Sequence, residues 1–467
     1  MSEKTKAELL KEELFYKNDN GLMTKSQEEI KKSFDFCDDY KRFLDVAKTE
    51  REAALEVIAR AQNEGFEPFD KNKQYKAGDK FYVNNRDKSV ILCVMGKKPL
   101  SEGVRIAAAH IDSPRIDLKP NPLYEADELA LFKTHYYGGI KKYQWTCVPL
   151  SLHGVIIKAD GQKVTVKIGE DENDPQFIIT DLLPHLAREQ SQRKLGEGIT
   201  GEELNILIGS MPFEDDQASE SVKLNIMKIL NEKYGIIEED FLSAELELVP
   251  SAKAKDIGFD RSLIGAYGHD DRVCAYPEMI AAFETKNPEK TTVTIFADKE
   301  ETGSEGNTGL NSNFLEYFIG HLAANQSTDG ATVLQNSQCL SADVNAAYDP
   351  TFANVFEKKN SSFINHGAVV TKYTGGRGKS STSDATAEFM GEVRAFLNKA
   401  EVTWQTGELG KVDEGGGGTV AMYIANLGVD VVDLGVPVLS MHAPYEVVSK
   451  YDVYSCYRAV KAFFELD

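Results

Sequence analysis

The spacing of apolar residues predicts helices followed by strands in the early part of the chain. Between residues 25 and 64, apolar side chains recur mostly three, four or seven positions apart, which is typical of an amphipathic helical region. Short apolar runs at 81–83, 89–95 and 104–109 are typical of strands, and the last of them leads directly into His110.

The pattern changes between residues 115 and 250. The run V-I-I-K-A-D-G-Q-K-V-T-V-K-I at 155–168 predicts a β-hairpin, because Asp160-Gly161 accommodates the positive φ angles of a tight turn. The polar stretch 187–203 has no clear period and predicts a long loop, of a kind that is often functional or interfacial. We interpret this block as an insertion into another domain.

After residue 250, strand-like and helix-like segments alternate. The runs T-V-T-I-F-A, V-L-Q-N-S-Q-C-L-S-A-D and V-P-V-L-S-M-H are each flanked by helical segments. This alternation predicts an α/β fold with a parallel or mixed sheet. We therefore expect one discontinuous α/β domain, formed by residues 1–115 and 250–467, and one inserted domain, residues 116–249.

Composition and charge limit the partners and the compartment. Of the 467 residues, 42% are hydrophobic and 27% are charged, and the formal net charge is −21. This acidity argues against nucleic acid or a membrane surface as a partner, since both need a basic face. The six cysteines form no C-x-x-C pair, and the N-terminus M-S-E-K-T-K is too charged for an export signal. No apolar run approaches the roughly 20 residues of a membrane helix, and we expect a cytoplasmic protein with reduced thiols.

Histidine and carboxylate residues stand at five predicted strand ends. They are His110 and Asp112 in A-A-A-H-I-D-S-P, Asp270 and Asp271 in G-H-D-D-R, Glu300 and Glu301 in D-K-E-E-T-G-S, Asp343 in L-S-A-D-V-N, and His442 in L-S-M-H-A-P. A single residue of this kind is more often a structural histidine or a helix cap. Five together, at the strand ends where open α/β sheets build their sites, indicate a shared site.

The residue types indicate a metal centre. Imidazole and carboxylate ligands suit zinc, manganese or cobalt. Two ions about 3.5–4 Å apart need a carboxylate that bridges them, and an acid near the bridging water must remain unligated to take its proton. Since adjacent residues at a strand end point in different directions, Glu300 and Glu301 are predicted to have different roles.

Other catalytic motifs are missing from the sequence. It contains no H-E-x-x-H helix and no G-x-S-x-G elbow. The run G-G-R-G-K-S-S at 375–381 is similar to a phosphate-binding loop, but Tyr373 stands where the first glycine of that motif is required.

The ordered set of five motifs, from residue 110 to residue 442, resembles the aspartyl aminopeptidases, in particular a bacterial branch of that family. The resemblance implies an α/β/α sandwich catalytic domain of the dinuclear zinc exopeptidase type, with an inserted β-rich dimerisation domain. It also implies a peptide substrate, a preference for N-terminal Asp or Glu, and two zinc ions per subunit, with manganese or cobalt as substitutes.

The resemblance assigns a role to each residue of the set. His110 and Asp343 would hold one zinc ion, Glu301 and His442 would hold the other, and Asp270 would bridge them. Glu300 would be the general base that activates the bridging water, and Asp112 would orient the imidazole of His110. A cis peptide bond would join Asp270 to Asp271.

Two further assignments concern the substrate and the assembly. Lys372, in V-T-K-Y-T, would pair with an acidic substrate side chain, whereas the alternative is a solvated surface lysine. His185, in L-L-P-H-L-A, would reach the active site of a neighbouring subunit, whereas the alternative is an ordinary histidine at the start of a helix. The family forms tetrahedral dodecamers built from dimers, and we expect the same homo-oligomer here.

Two rival functions remain at this point. One is another metalloenzyme on the same scaffold, such as a carboxypeptidase or an amide deacylase. The other is a non-catalytic metal-binding scaffold protein, which the presence of Glu300 argues against, since a general base has no use without turnover.

Overall fold

The computed structural model describes residues 4–215 and 219–467. The α-helices are α1 (Lys6–Leu14), α2 (Gly21–Thr24), α3 (Gln27–Val46), α4 (Glu50–Asn63), α5 (Ser221–Tyr234), α6 (His269–Glu284), α7 (Phe314–Ala324), α8 (Gly330–Gln335), α9 (Ala387–Lys399), α10 (Ala421–Ala425) and α11 (Lys450–Phe464). Within these described ranges, no helix is both long and apolar enough to cross a membrane.

The strands form three sheets. They are β1 (Glu67–Pro68), β2 (Lys80–Asn85), β3 (Ser89–Val94), β4 (Arg105–His110), β5 (Arg115–Ala126), β6 (Leu129–Tyr137), β7 (Leu150–Ile157), β8 (Lys163–Ile168), β9 (Ile178–Ile179), β10 (Ile206–Gly209), β11 (Ala244–Pro250), β12 (Lys255–Ile257), β13 (Leu263–Ala266), β14 (Thr292–Ala297), β15 (Gln338–Ser341), β16 (Asn345–Ala346), β17 (Ala368–Thr371), β18 (Trp404–Thr406), β19 (Asp430–Gly435), β20 (Pro437–Leu439) and β21 (Glu446–Ser449).

The helical pattern between residues 25 and 64 corresponds to two helices rather than one. Helix α3 begins after Ser26, whose side chain accepts a hydrogen bond from the Glu29 N–H. It ends at Val46, and α4 begins after Thr49, whose side chain accepts from the Glu52 N–H. A threonine with this hydrogen bond satisfies a free N–H at the start of a new helix, so it separates the two.

The central sheet has nine strands in the order β1-β2-β3-β14-β4-β15-β19-β17-β18. Its four middle strands, β14, β4, β15 and β19, run parallel to one another, while β3 and β17 run antiparallel to their neighbours on either side. The mixed sheet predicted from the alternating pattern is therefore confirmed.

Helices cover both faces of the central sheet. On strand β3, Leu92 packs into a core with side chains of α3, α4, α6, α9 and α11, whereas its neighbour Ile91 packs with α7, α8 and α10. Successive residues of a strand point to opposite faces, so a strand buried on both faces is apolar throughout. The result is an α/β/α sandwich.

The strands between Arg115 and Pro250 belong to a second sheet with the order β8-β7-β11-β5-β6-β10-β9. All of its neighbouring strands are antiparallel, and the predicted hairpin is β7 and β8. Phe132, Trp145 and Leu246 lie in a core that belongs to this sheet. The chain is thus an α/β protein that carries a β-rich part, which we call the inserted sheet.

A third sheet, which we did not predict, has the order β12-β13-β21-β20-β16. The run V-P-V-L-S-M-H contributes β20 to this sheet and not to the central one, where the preceding β19 lies instead. The run V-L-Q-N-S-Q-C-L-S-A-D begins as the end of α8, and only Gln338–Ser341 is a strand. Short apolar runs do not reveal which sheet they join, because that depends on partners distant in sequence.

Candidate metal centre

The central sheet brings three of the five motifs to one edge. Strand β4 ends at His110, which lies in register with Ala297, the last residue of β14. After β14 the chain forms a 3₁₀ turn, Glu300–Thr302, and after β15 it continues to Asp343. Because these strands are parallel neighbours, their carboxyl ends meet, as the sequence predicted.

The other two motifs come from the third sheet, which corrects the prediction of strand ends in one sheet. Asp270 lies at the start of α6, after β13, and His442 follows β20. Both of these strands pair with β21, which lies between them. The third sheet therefore places Asp270 and His442 at the edge of the central sheet.

Asp270 lies between two imidazoles. Its Oδ1 is 3.1 Å from His110 Nε2, and its Oδ2 is 3.1 Å from His442 Nε2. The remaining carboxylates are slightly farther away, since Asp343 Oδ1 is 3.8 Å from His110 Nε2 and Glu301 Oε2 is 3.5 Å from His442 Nε2. Each oxygen of one carboxylate thus faces a different histidine.

The ligand atoms form overlapping groups in which all atoms lie within 4.8 Å of one another. We call His110, Asp270 and Asp343 the first triad and Asp270, Glu301 and His442 the second triad; His110, Glu300 and Glu301 form a further group. The two triads share Asp270, so the geometry offers two adjacent positions for a cation.

Buried polar atoms in these triads fit a metal ion. Among the described residues, His110 Nε2, Asp270 Oδ1 and Glu301 Oε1 are buried and have no hydrogen-bond partner. A buried polar atom without a partner is costly, and a cation would satisfy all three. Imidazole and carboxylate donors are the types that zinc binds.

The charges around the two triads also favour a cation. Burial, together with the nearby carboxylates of Asp343, Asp112 and Asp270, raises the pKa of Glu300 to about 8, and burial with Asp270 raises the pKa of Glu301 well above its usual value. Although burial acts to lower it, the carboxylates of Asp270 and Glu301 raise the pKa of His442 to about 10. Several carboxylates in one buried space cannot all ionise without a neutralising positive charge.

Asp112 supports the motifs of the central sheet. Its carboxylate accepts hydrogen bonds from the backbone N–H groups of Glu300 (3.1 Å) and Glu301 (3.2 Å) and from the Tyr137 hydroxyl (2.8 Å). The His110 Nδ1–H donates to the Asp112 backbone carbonyl at 3.0 Å, with the carboxylate Oδ1 at 3.3 Å. The donated Nδ1 proton leaves the His110 Nε2 lone pair directed toward Asp270.

Glu446 supports the other two motifs, and our sequence reasoning missed it. This buried carboxylate on β21 accepts from the Asp270 N–H at 3.1 Å and from the His442 N–H at 2.7 Å. The sequence feature that could have indicated it is an acidic residue directly before the apolar pair V-V, four residues after His442. Burial raises the pKa of Glu446 to about 8.

The peptide bond between Asp270 and Asp271 is cis, as the resemblance implied. Lys372 directly follows β17, and its ammonium forms an ion pair with Asp384. His185 lies in an exposed turn of the inserted part of the chain. Within the described residues, the hydrogen bonds and ion pairs of Lys372 and His185 do not include the two triads.

Comparison with known proteins identifies relatives along almost the whole chain. The family model described as aminopeptidase I zinc metalloprotease (M18) matches residues 43–464. A probable M18 family aminopeptidase 1 of Clostridium acetobutylicum is 51% identical over 443 residues, which are 93% of this chain and 95% of that protein. The crystal structure of an M18 family aminopeptidase from Thermotoga maritima superposes with a TM-score of 0.92 at 43% identity and covers 96% of this chain and 99% of that one.

A more distant structure shares the fold. The structure of the S. cerevisiae mApe1 dodecamer has a TM-score of 0.74 at 20% identity and covers 94% of this chain and 97% of that one. One of the structural neighbours is therefore described as a dodecamer.

Proposed function

The chain belongs to the aminopeptidase I zinc metalloprotease family M18 and is a zinc metallo-aminopeptidase, and we propose that it uses two zinc ions to remove acidic residues from the N-termini of peptides. The observation that supports two ions is the position of Asp270, each of whose oxygens faces the Nε2 of a different histidine at 3.1 Å. A carboxylate in such a position suits two adjacent metal ions.

We propose that each triad holds one ion. His110 and Asp343 would bind the first, Glu301 and His442 the second, and Asp270 would be shared. Zinc bound there would supply Lewis-acid stabilisation of a developing oxyanion and would lower the pKa of a water molecule. The buried atoms without hydrogen-bond partners belong to both triads, which supports this division.

We propose that Glu300 moves the proton. Its Oε2 is 3.8 Å from His110 Nε2, and its backbone N–H is bound by Asp112. Burial and the neighbouring carboxylates raise the pKa of its carboxyl, and two bound cations would lower that pKa, so that the ionised carboxylate is available to accept a proton. In this role, Glu300 takes a proton from the attacking water and delivers it to the amine of the leaving peptide.

We propose that Lys372 contributes to the acidic preference. Its ammonium pairs with Asp384, and it borders a cavity of about 290 Å³ whose lining includes Tyr373 and Glu408. An acidic substrate side chain would replace Asp384 as the partner of this ammonium. A hydrogen bond to a charged group contributes about 1.5–3 kcal/mol, so a lysine that recognises substrate charge should favour an acidic over a neutral N-terminal residue by roughly 10- to 100-fold.

Measurement of kcat/KM with Asp-, Glu-, Leu- and Lys-anilides, with and without a blocked α-amine, tests this function. We expect the acidic anilides to be cleaved fastest, and we expect the Lys372→Met variant to lose that preference. Lys379→Met is the matched control, because Lys379 pairs with the same Asp384 carboxylate. Cleavage of blocked substrates alone would indicate a deacylase, and an unchanged preference in Lys372→Met would exclude the role of that lysine.

We further propose a homo-oligomer, a tetrahedral dodecamer built from dimers through residues 116–249, in which His185 completes a neighbouring active site. The exposed turn around His185 carries Leu182, Leu183 and Leu186, which are 45%, 48% and 68% exposed. Apolar side chains gathered in this way are typical of a surface that another subunit covers.

Co-expression of two inactive variants tests the role of His185 in a neighbouring subunit. His185→Ala subunits keep their own Glu300, and Glu300→Gln subunits keep their His185. Mixed oligomers should therefore regain activity that neither variant has alone. Native mass spectrometry must first confirm that the oligomers are mixed. If such mixed oligomers remain inactive, or if light scattering shows an active monomer, the proposal is contradicted.

A further inference from the structure

We propose that Tyr137, Gly138 and Gly139, at the end of β6, are positioning residues of the metal centre, so that the inserted sheet contributes directly to metal binding within its own subunit. This inference rests on the proposed ligand roles of Glu301 and His442. Strand β6 pairs with β5, and Tyr137 lies opposite Arg115, the residue where the chain enters the inserted sheet. The three residues therefore lie where the inserted sheet meets the edge of the central sheet.

The Gly139 carbonyl determines the orientation of the His442 ring. His442 Nδ1 lies 2.7 Å from this carbonyl oxygen, which can only accept, so Nδ1 must carry the donated proton. The lone pair of the neutral ring is then on Nε2, which faces Asp270 and Glu301. A metal-binding histidine needs such a partner on its other nitrogen, and the inserted sheet provides it here.

Gly138 brings the backbone against the second triad. A Cβ atom at this position would lie 3.3 Å from both Cβ and Oε2 of Glu301 and 3.4 Å from the Pro114 Cα. Its φ of +78° is also one that other residues rarely adopt. Any side chain at position 138 would therefore press on Glu301.

Tyr137 extends the contact to the motifs of the central sheet. Its hydroxyl donates to Asp112 Oδ2 at 2.8 Å, and the same carboxylate accepts the backbone N–H groups of Glu300 and Glu301. Three consecutive residues, Tyr137 at the end of β6 and the two glycines after it, thus contact the metal centre. Tyr137 binds the carboxylate that supports both glutamates, Gly138 lies against Glu301, and Gly139 binds His442. A displacement of this segment would disturb those groups, since hydrogen bonds and van der Waals contacts join them to it.

Two pairs of variants test the inference. Gly138→Ala adds a methyl group against Glu301, while Gly161→Ala adds one at a similar φ of +84° in the β7–β8 turn, where nothing lies within 4 Å. Tyr137→Phe removes the hydroxyl that binds Asp112, and Tyr136→Phe removes one from the preceding residue of the same strand. The two controls thus reproduce the backbone strain and the chemical change at a distance from the centre.

Zinc affinity, measured by competition with a chromophoric chelator, is the main readout. We expect Gly138→Ala to bind one of its two zinc ions roughly 10- to 100-fold more weakly, the range found when groups that orient metal ligands are changed. We expect Tyr137→Phe to lower kcat/KM about tenfold and, like Gly138→Ala, to shift the visible absorption of the cobalt-substituted enzyme. Neither control should change zinc affinity or the cobalt spectrum.

The Glu301→Gln variant separates this inference from the ligand assignment. If Glu301→Gln loses one ion while Gly138→Ala and Tyr137→Phe keep wild-type zinc affinity and cobalt spectra, the positioning role is overturned and the ligand set stands. If Glu301→Gln keeps both ions at wild-type affinity, the ligand set is wrong and the inference fails with it. Should Gly138→Ala not fold, the Tyr137→Phe result decides alone.

Discussion

The two histidines of the candidate metal centre are oriented by the same kind of contact, but the partners have different origins. His110 Nδ1 donates to the backbone carbonyl of Asp112, only two residues away in the chain. His442 Nδ1 donates to the carbonyl of Gly139, which lies just after β6 of the inserted sheet and is 303 residues away in the chain. The first contact is local, whereas the second depends on how two parts of the molecule pack together.

The difference extends to the surroundings of each triad. In the first triad, His110 is fully buried and continues a strand of the central sheet. In the second triad, His442 has a side chain that is 33% exposed, and it depends on both Glu446 and Gly139. A ligand supported by several distant elements can be displaced by a change in any of them, so the second triad should be the more easily perturbed.

The largest expected effect separates the two adjacent glutamates. Glu300→Gln should retain both metal ions and lower kcat by roughly 10²- to 10⁴-fold, because only the proton acceptor is removed. Glu301→Gln should lose the ion of the second triad, since an uncharged amide is a poor zinc ligand. Metal content from plasma mass spectrometry, measured together with kcat, checks both outcomes. Equal metal loss in the two variants would contradict the division of roles.

A smaller effect is expected when the two supporting carboxylates are changed. Glu446→Gln can accept only one of the two N–H groups that Glu446 binds, so Asp270 or His442 loses its support. The amide of Asp112→Asn likewise has one acceptor oxygen in place of two, so it can accept from only one of the N–H groups of Glu300 and Glu301. Each change should cost roughly 10- to 100-fold in metal affinity or activity.

The two supporting carboxylates bind different groups, although each binds a member of the second triad. Glu446 accepts from Asp270 and His442, whereas Asp112 accepts from Glu300 and Glu301. We expect zinc titration of Glu446→Gln to show weaker binding of the ion of the second triad. Asp112→Asn should have its larger effect on kcat, because it disturbs His110 and Glu300 in addition to Glu301. If both variants show the same change in zinc affinity and in kcat, the contrast between a local and a long-range triad does not hold.

Stepwise metal removal should show the smallest difference. We expect a chelator to remove the ion of the second triad first, since His442 is partly exposed while His110 is buried. Each ion present at one hundred times its Kd contributes about 2.7 kcal/mol to the free energy of unfolding, so Tm should fall in two steps. The His442→Ala variant is the control and should show one step. Loss of both ions in a single step from the wild-type protein would argue against unequal triads.

The elements of the α/β part were mostly predictable from local patterns. Strands β3, β4 and β14 appear in the sequence as apolar runs, because a strand between two helical layers must be apolar on both faces. The third sheet was not predictable. Strand β20 is only a short apolar run, and its partner β21 has no local sequence pattern that shows which strands it pairs with. The assignment of V-P-V-L-S-M-H to the central sheet was wrong for this reason.

The candidate ligands were predictable for a related reason. His110, Glu300, Glu301 and Asp343 follow strands, and a charged residue directly after an apolar strand is visible in the sequence. The supporting groups were not, because the Gly139 carbonyl and the N–H groups bound by Glu446 are backbone atoms that every residue possesses. Only Asp112, two residues from His110, was near enough in sequence to be assigned.

The sequence by itself therefore determined the α/β class and the candidate ligand residues, and it led to the prediction that Glu300 and Glu301 have different roles. These depend on side-chain chemistry and on spacing along the chain. The tertiary structure alone decided that Asp270 lies between two imidazoles, that Glu446 supports two of the motifs, and that the inserted sheet reaches His442. Those facts depend on distances between segments far apart in sequence, which are set by packing and strand pairing and are not encoded in any local pattern.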